Sequence, residues 1–208
     1  MQEIHLAGLP NNTQAMKTVI TLFFLSLAGT LFSQVPPGAT MLNAETGTTY
    51  QRINKCTVSE VSVSGQPFTT ALRISVQSDL NNPWDAQVKF PAVAGVREKD
   101  VVLVAFYART IFSPEETGEG QLNAVIEENV SYAKQLYYNI SIGQEWREYY
   151  APVEIQDSID ASAVSYLFHL GYSDQVIEVA NVRFLNYQTS LSLEDLPYTE
   201  FTYIGQDP

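Results

Sequence analysis

Apolar and polar positions alternate along most of the chain beyond Gln34, the period-2 signature of strands with one buried face. The pattern predicts strands over 48–54, 56–63, 70–78, 84–90, 101–110, 121–128, 136–142, 146–153, 163–170 and 175–187. The most informative is the stretch 101–109 (VVLVAFYAR), which begins apolar on both sides and ends with Phe106 and Ala108 on one face, Tyr107 and Arg109 on the other. Turns are expected at Asn81-Asn82-Pro83, Ala94-Gly95 and 171–174, and 113–120 (SPEETGEG) reads as a longer acidic loop, the segment expected to be most flexible. No segment carries the sustained helical periodicity of a long helix. Segments rich in Val, Ile, Thr, Tyr and Phe, recurring at this spacing, predict an all-β fold, an antiparallel β-sandwich.

The ends differ from this body. Lys17 precedes an apolar run over 18–32 and then Ser33, Gln34 and Val35-Pro36-Pro37-Gly38, which reads as a secretory signal peptide over about 16–34. The rival reading, a membrane-spanning helix, would need about 18 to 20 apolar residues, more than the run supplies. Met16 makes a better start than Met1, because 1–15 lacks a basic flank. The expected organisation is a leader over 1–34, one β-sandwich domain over 35–190, and an extended tail over 191–208 leading towards a further domain. After signal cleavage the protein is expected to be secreted, periplasmic or at the cell surface, with no membrane partner.

The net charge of −12 opposes binding to nucleic acid or anionic lipid, but not to a neutral polymer. Cys56 is the only cysteine, so no intramolecular disulfide forms, and its neighbours suggest inert burial in a strand. Past the leader, His169 is the only histidine, which excludes a His/Cys zinc site and leaves a Ser-His-Asp or Cys-His centre without a nucleophile-elbow pattern. Glu127, Glu128, Glu145 and Glu148 could form an acid/base pair, but among twenty-three acids such pairs arise by accident. No catalytic residue is assigned.

Strand parity points instead to binding. Tyr166, Phe168 and Leu170 suit a core, which turns Leu167 and His169 outward; Val88 and Phe90 do the same for Gln87 and Lys89, with Trp84 just before them. Leu136, Tyr138, Ile140 and Ile142 leave Tyr137 and Asn139 outward. His169 is expected to join Tyr107 and Arg109 on one face. Each residue also has a structural reading: Trp84 as a core-edge ring, Trp146 as core, His169 as a satisfied histidine, Arg109 as the partner of a carboxylate.

Together Pro83-Trp84-Asp85-Ala86-Gln87, Phe106-Tyr107-Ala108-Arg109, Glu145-Trp146, Phe168-His169-Leu170-Gly171-Tyr172 and Ile177-Glu178-Val179-Ala180-Asn181-Val182 resemble the carbohydrate-binding modules of families 4, 9 and 22. The resemblance spans about 61–187 and implies a jelly-roll sandwich whose concave face binds β-glucan or xylan. It carries a carbohydrate-binding role to Trp84, Gln87, Tyr107, Arg109 and His169, and further to Tyr137 and Gln175. Many members have Asp-Asn-Val where this chain has Ala180-Asn181-Val182; the departure puts a structural calcium in doubt, and no cofactor is expected. The tail (Leu196-Pro197-Tyr198-Thr199, then 202–206) resembles the linker before some family 10 xylanase domains. The expected function is non-catalytic binding of a β-linked polysaccharide by a monomer, or by a module tethered to a hydrolase. The alternatives are a structural spacer without glycan binding and a jelly-roll hydrolase or lyase.

Overall fold

The computed structural model describes residues 35–44, 50–77 and 80–200, without the side chains of 52–54. The leader over 1–34, the ends of two expected strands at 48–49 and 78, and the part of the tail beyond 200 lie outside the described residues. Among those described, the chain forms β1 (Thr40–Met41), β2 (Gln51–Asn54), β3 (Cys56–Ser62), β4 (Thr70–Val76), β5 (Ala86–Phe90), β6 (Val101–Phe112), β7 (Gly120–Glu128), β8 (Lys134–Ile142), β9 (Arg147–Glu154), β10 (Val164–His169) and β11 (Gln175–Asn186). Beyond the expected strands only β1 is new. It is two residues long, too short to leave a periodic signal.

All pairings are antiparallel and build two sheets, a jelly-roll β-sandwich. One sheet runs β3-β4-β11-β6-β9 with β1 on β11; the other runs β2-β5-β10-β7-β8. Alternation places Phe90 and Phe168 of the five-stranded sheet against Phe106 and Phe184 of the six-stranded one, all without solvent exposure. Phe168 is central, with ring centroids 4.8 Å from Phe106, 5.1 Å from Phe90 and 6.4 Å from Phe184. Apolar area removed from water between the sheets is the main stabilising term, because no disulfide supplements it.

Part of the outer face of the six-stranded sheet carries a second apolar cluster. Val101, Leu103, Ala105, Tyr150 and Leu185 pack under Val35, Ala39, Met41, Tyr187, Leu191 and Leu196. The tail as far as Thr199 therefore folds back onto the sheet instead of running free, and Thr199 exchanges backbone and hydroxyl bonds with Tyr150. This explains why β6 opens apolar on both sides. In β11 a bulge lies between Ala180 and Arg183, where Asn181 adopts φ 49°, a left-handed conformation that asparagine tolerates better than most side chains. Among the described residues no helix is long and apolar enough to cross a membrane, and no group of three His, Cys, Asp or Glu side chains is placed to hold a metal.

Candidate functional site

The expected shared face divides in two. Tyr107 and Arg109 lie on β6 and point out from the six-stranded sheet; His169 and Gln87 lie on β10 and β5 and point out from the five-stranded sheet, on the other side of the molecule. The intervening core separates them, so they cannot line one trough.

On the five-stranded sheet the register aligns three rows. Gln87, His169, Asn123 and Asn139 stand opposite one another across β5, β10, β7 and β8. The next row is Lys89, Leu167, Val125 and Tyr137; the third brings Ser165, Glu127 and Lys134 together. At about 4.8 Å between strands, the first row is about 14 Å long, room for about three sugar rings. Trp84, in the 3-10 turn Pro83–Asp85 just before β5, is 49% exposed, and its carbonyl accepts a bond from Gln87 Nε2 at 2.7 Å. Tyr137, 43% exposed, meets the His169 ring edge-on at a centroid distance of 5.8 Å. Tyr172, in the turn after β10, lies beside Tyr137, Asn139 and Asn123, and burial pushes its phenol up.

The first row is incompletely bonded. Asn139 Nδ2 donates to Asn123 Oδ1 at 2.8 Å and the Asn123 amide lies against the Tyr137 and Tyr172 hydroxyls, but both His169 ring nitrogens are buried without a hydrogen-bond partner. His169 is therefore not the satisfied histidine of the alternative structural reading. Burial, and then the charge of Lys134, push its pKa down to about 4, so at neutral pH the imidazole is uncharged and offers one donor and one acceptor. A buried polar atom without a partner costs about 1 to 3 kcal/mol, which makes these atoms the ones with most to gain from a polar group arriving from outside.

Tyr107 and Arg109 belong to a different assembly. Glu178, almost wholly buried, accepts from Arg109 Nε at 2.8 Å and from Arg73 Nε and Nη2 at 2.8 and 2.6 Å. Arg109 also lies over the Trp146 ring at 5.0 Å, and Phe68 joins the rings of Tyr107 and Trp146 at 5.1 and 4.9 Å. Trp146 is thus part of a surface cluster and not of the core. Glu148 accepts from the Tyr107 and Tyr150 hydroxyls at 3.1 and 2.7 Å and pairs with Arg183; burial, and then the Glu148 charge, raise the Tyr107 pKa. Glu127 pairs with Lys134 on the opposite side of the molecule, so Glu127 and Glu148 share no cleft.

Gln175 points inward and is wholly buried. Its amide donates to the Gln121 and Leu170 carbonyls, both at 2.7 Å, and accepts from the Gln121 backbone at 2.8 Å, which removes it from any sugar-binding face. Gln175→Ala is expected to cost about 2 kcal/mol, since it leaves one buried and two partly buried backbone groups unpaired, without changing the outer faces. A urea melt checks this; an unchanged midpoint would show that water replaces the amide freely. Asn123 was missed by sequence reasoning, although the alternation of Leu122, Ala124 and Ile126 with Gln121, Asn123 and Val125 places it outward.

No protein-family model matches the sequence, and no curated protein matches it significantly. Solved structures do. An arabinose-bound GH51 α-L-arabinofuranosidase superposes with a TM-score of 0.55 at 15% identity, over 71% of this chain and 26% of that one. The N-terminal CBM22-1-GH10 modules of Clostridium thermocellum endo-1,4-beta-D-xylanase 10B, complexed with xylohexaose, superpose with a TM-score of 0.51 at 9% identity, over 72% and 28%. The chain thus spans little more than a quarter of either structure, and what it shares with them is the sandwich fold.

Proposed function

We propose that this chain is a non-catalytic carbohydrate-binding module that holds a β-linked polysaccharide, a xylan or β-glucan, on the outer face of its five-stranded sheet. The observation that carries the reading is the row of neutral amide and imidazole groups, with two buried unpartnered nitrogens on His169, on a sheet face that also carries the exposed Tyr137 and is preceded at β5 by the exposed Trp84. Sugar hydroxyls are both donors and acceptors and match a neutral imidazole beside an amide. Flat sugar faces suit the exposed rings. Reaching His169 requires Tyr137 to swing aside, a rotamer change at an exposed side chain. The sandwich shared with a module of a xylohexaose-bound xylanase fits this reading, as does the export expected of the leader; a hydrolase as the parent protein is part of the same proposal.

Stacking a sugar on Trp84 removes about 100 Å² of apolar surface, worth roughly 2.5 kcal/mol. With a few hydrogen bonds at about 1 kcal/mol each, set against an association cost of at least about 4 kcal/mol, affinity falls in the micromolar to millimolar range. In affinity electrophoresis on soluble xylan and β-glucan, the wild-type chain should be retarded and Trp84→Ala should bind roughly 50-fold more weakly. Arg109→Ala should still be retarded, because Arg109 and its partner Glu178 lie on the other sheet. The reading fails if no glycan retards the wild type, or if folded Trp84→Ala binds as well as wild type while Arg109→Ala does not.

A further inference from the structure

Lys89 stands on β5 two residues from Gln87, on the same face and about 7 Å along the strand. Its ammonium donates to Ser165 Oγ at 2.8 Å and to Asn129 Oδ1 at 3.1 Å, both neutral, and keeps a third N–H. The other basic side chains described are either paired with a carboxylate, as are Arg73, Arg97, Arg109, Lys134 and Arg183, or exposed, as are Lys55, Lys99 and Arg147. Among the described residues Lys89 alone is a half-buried cation without an ion-pair partner. Lys134 in the next row is offset by Glu127, so the face keeps one uncompensated positive charge on a chain whose net charge is −12.

We propose that this face takes a glycan carrying an acidic branch, with Lys89 as the counter-charge to a uronic carboxylate. The inference rests on the glycan-binding reading above. One unpaired ammonium with one free N–H matches a single carboxylate; a phosphate dianion would call for a second cation or an arginine fork. The distance from Lys89 to the neutral row is about that of a substituent one sugar away from a main chain lying along it. Because the protein as a whole repels anions, a local positive charge is what would let an acidic chain settle here.

The test compares a xylo-oligosaccharide bearing one glucuronic acid branch with the same compound after reduction of its carboxyl group, by titration calorimetry of the full chain. The wild type should bind the acidic form about fivefold more tightly at low salt, and added salt should erase the difference but leave the binding of the reduced form. Lys89→Met, which keeps most of the aliphatic stem, should bind the two forms equally. Equal binding of both by the wild type, or a preference that survives in folded Lys89→Met, overturns this inference and leaves the glycan-binding reading intact. Binding of neither form overturns that reading, and this one with it. Should Lys89→Met fail to fold, the wild-type comparison and its salt dependence still decide.

Discussion

The Phe168→Ala variant is expected to lose about 3 to 5 kcal/mol of folding stability, a large share of the about 5 to 15 kcal/mol that holds a domain folded. Phe168 has no exposed surface and touches an aromatic ring of its own sheet, Phe90, and two of the facing sheet, Phe106 and Phe184. Truncation removes the ring from the middle of that stack and leaves a cavity bounded by two hydrogen-bonded sheets, which cannot collapse into it. Urea unfolding followed by fluorescence should show the midpoint falling sharply with little change in slope. A midpoint near that of the wild type would mean that the sheets close over the gap, and that the core is softer than its aromatic packing implies.

One residue further along β10 the expected result has the opposite sign. His169→Leu should make the protein more stable and a poorer binder, because it replaces two unpartnered buried nitrogens with apolar atoms and deletes the donor and acceptor offered to a sugar. At neutral pH the gain is about 1 kcal/mol or more, and glycan affinity should fall about tenfold. Acid widens the contrast. The wild-type imidazole has a folded-state pKa of about 4 against an ordinary 6.5, so between those values the unfolded chain binds a proton that the folded chain does not. Wild-type stability from this group is therefore flat above pH 6.5 and falls by up to about 3 kcal/mol as pH drops towards 4. The leucine variant lacks that slope. Thermal melts of both proteins from pH 7 to 4 would measure the gap directly; a constant gap would mean the imidazole is already solvated in the folded state.

These neighbours show which parts of the molecule are legible in one dimension. Side-chain direction along a strand depends only on the alternation of the backbone, so the inward set Tyr166 and Phe168 and the outward pair Leu167 and His169 follow from the residues themselves. The same holds for Gln87 and Lys89, and for Tyr137 and Asn139. Gln175, which only the family resemblance brought to the site, is a polar residue facing inward at the first position of β11, where its amide bonds backbone across the gap to β7 and to Leu170. Local pattern reports polarity, and in that position polarity serves the interior. Trp146 misled in the other direction: its size suits a core, but the turn before β9 lays it against Arg109 and Phe68 on the surface.

By itself, then, the sequence determined that the chain is all-β, where its strands lie, and, for β5, β8 and β10, which side is polar. The tertiary structure alone decided which outward sides belong together. Alternation is a property of consecutive residues, whereas the sheet a strand joins is set by hydrogen bonds to residues far along the chain. Tyr107 and Arg109 pair through β11 and β9, His169 through β5 and β7. Two outward faces with the same parity thus end on opposite sides of one core, and the gathering of Gln87, His169, Asn123 and Asn139 into one row depended on register that no local pattern encodes.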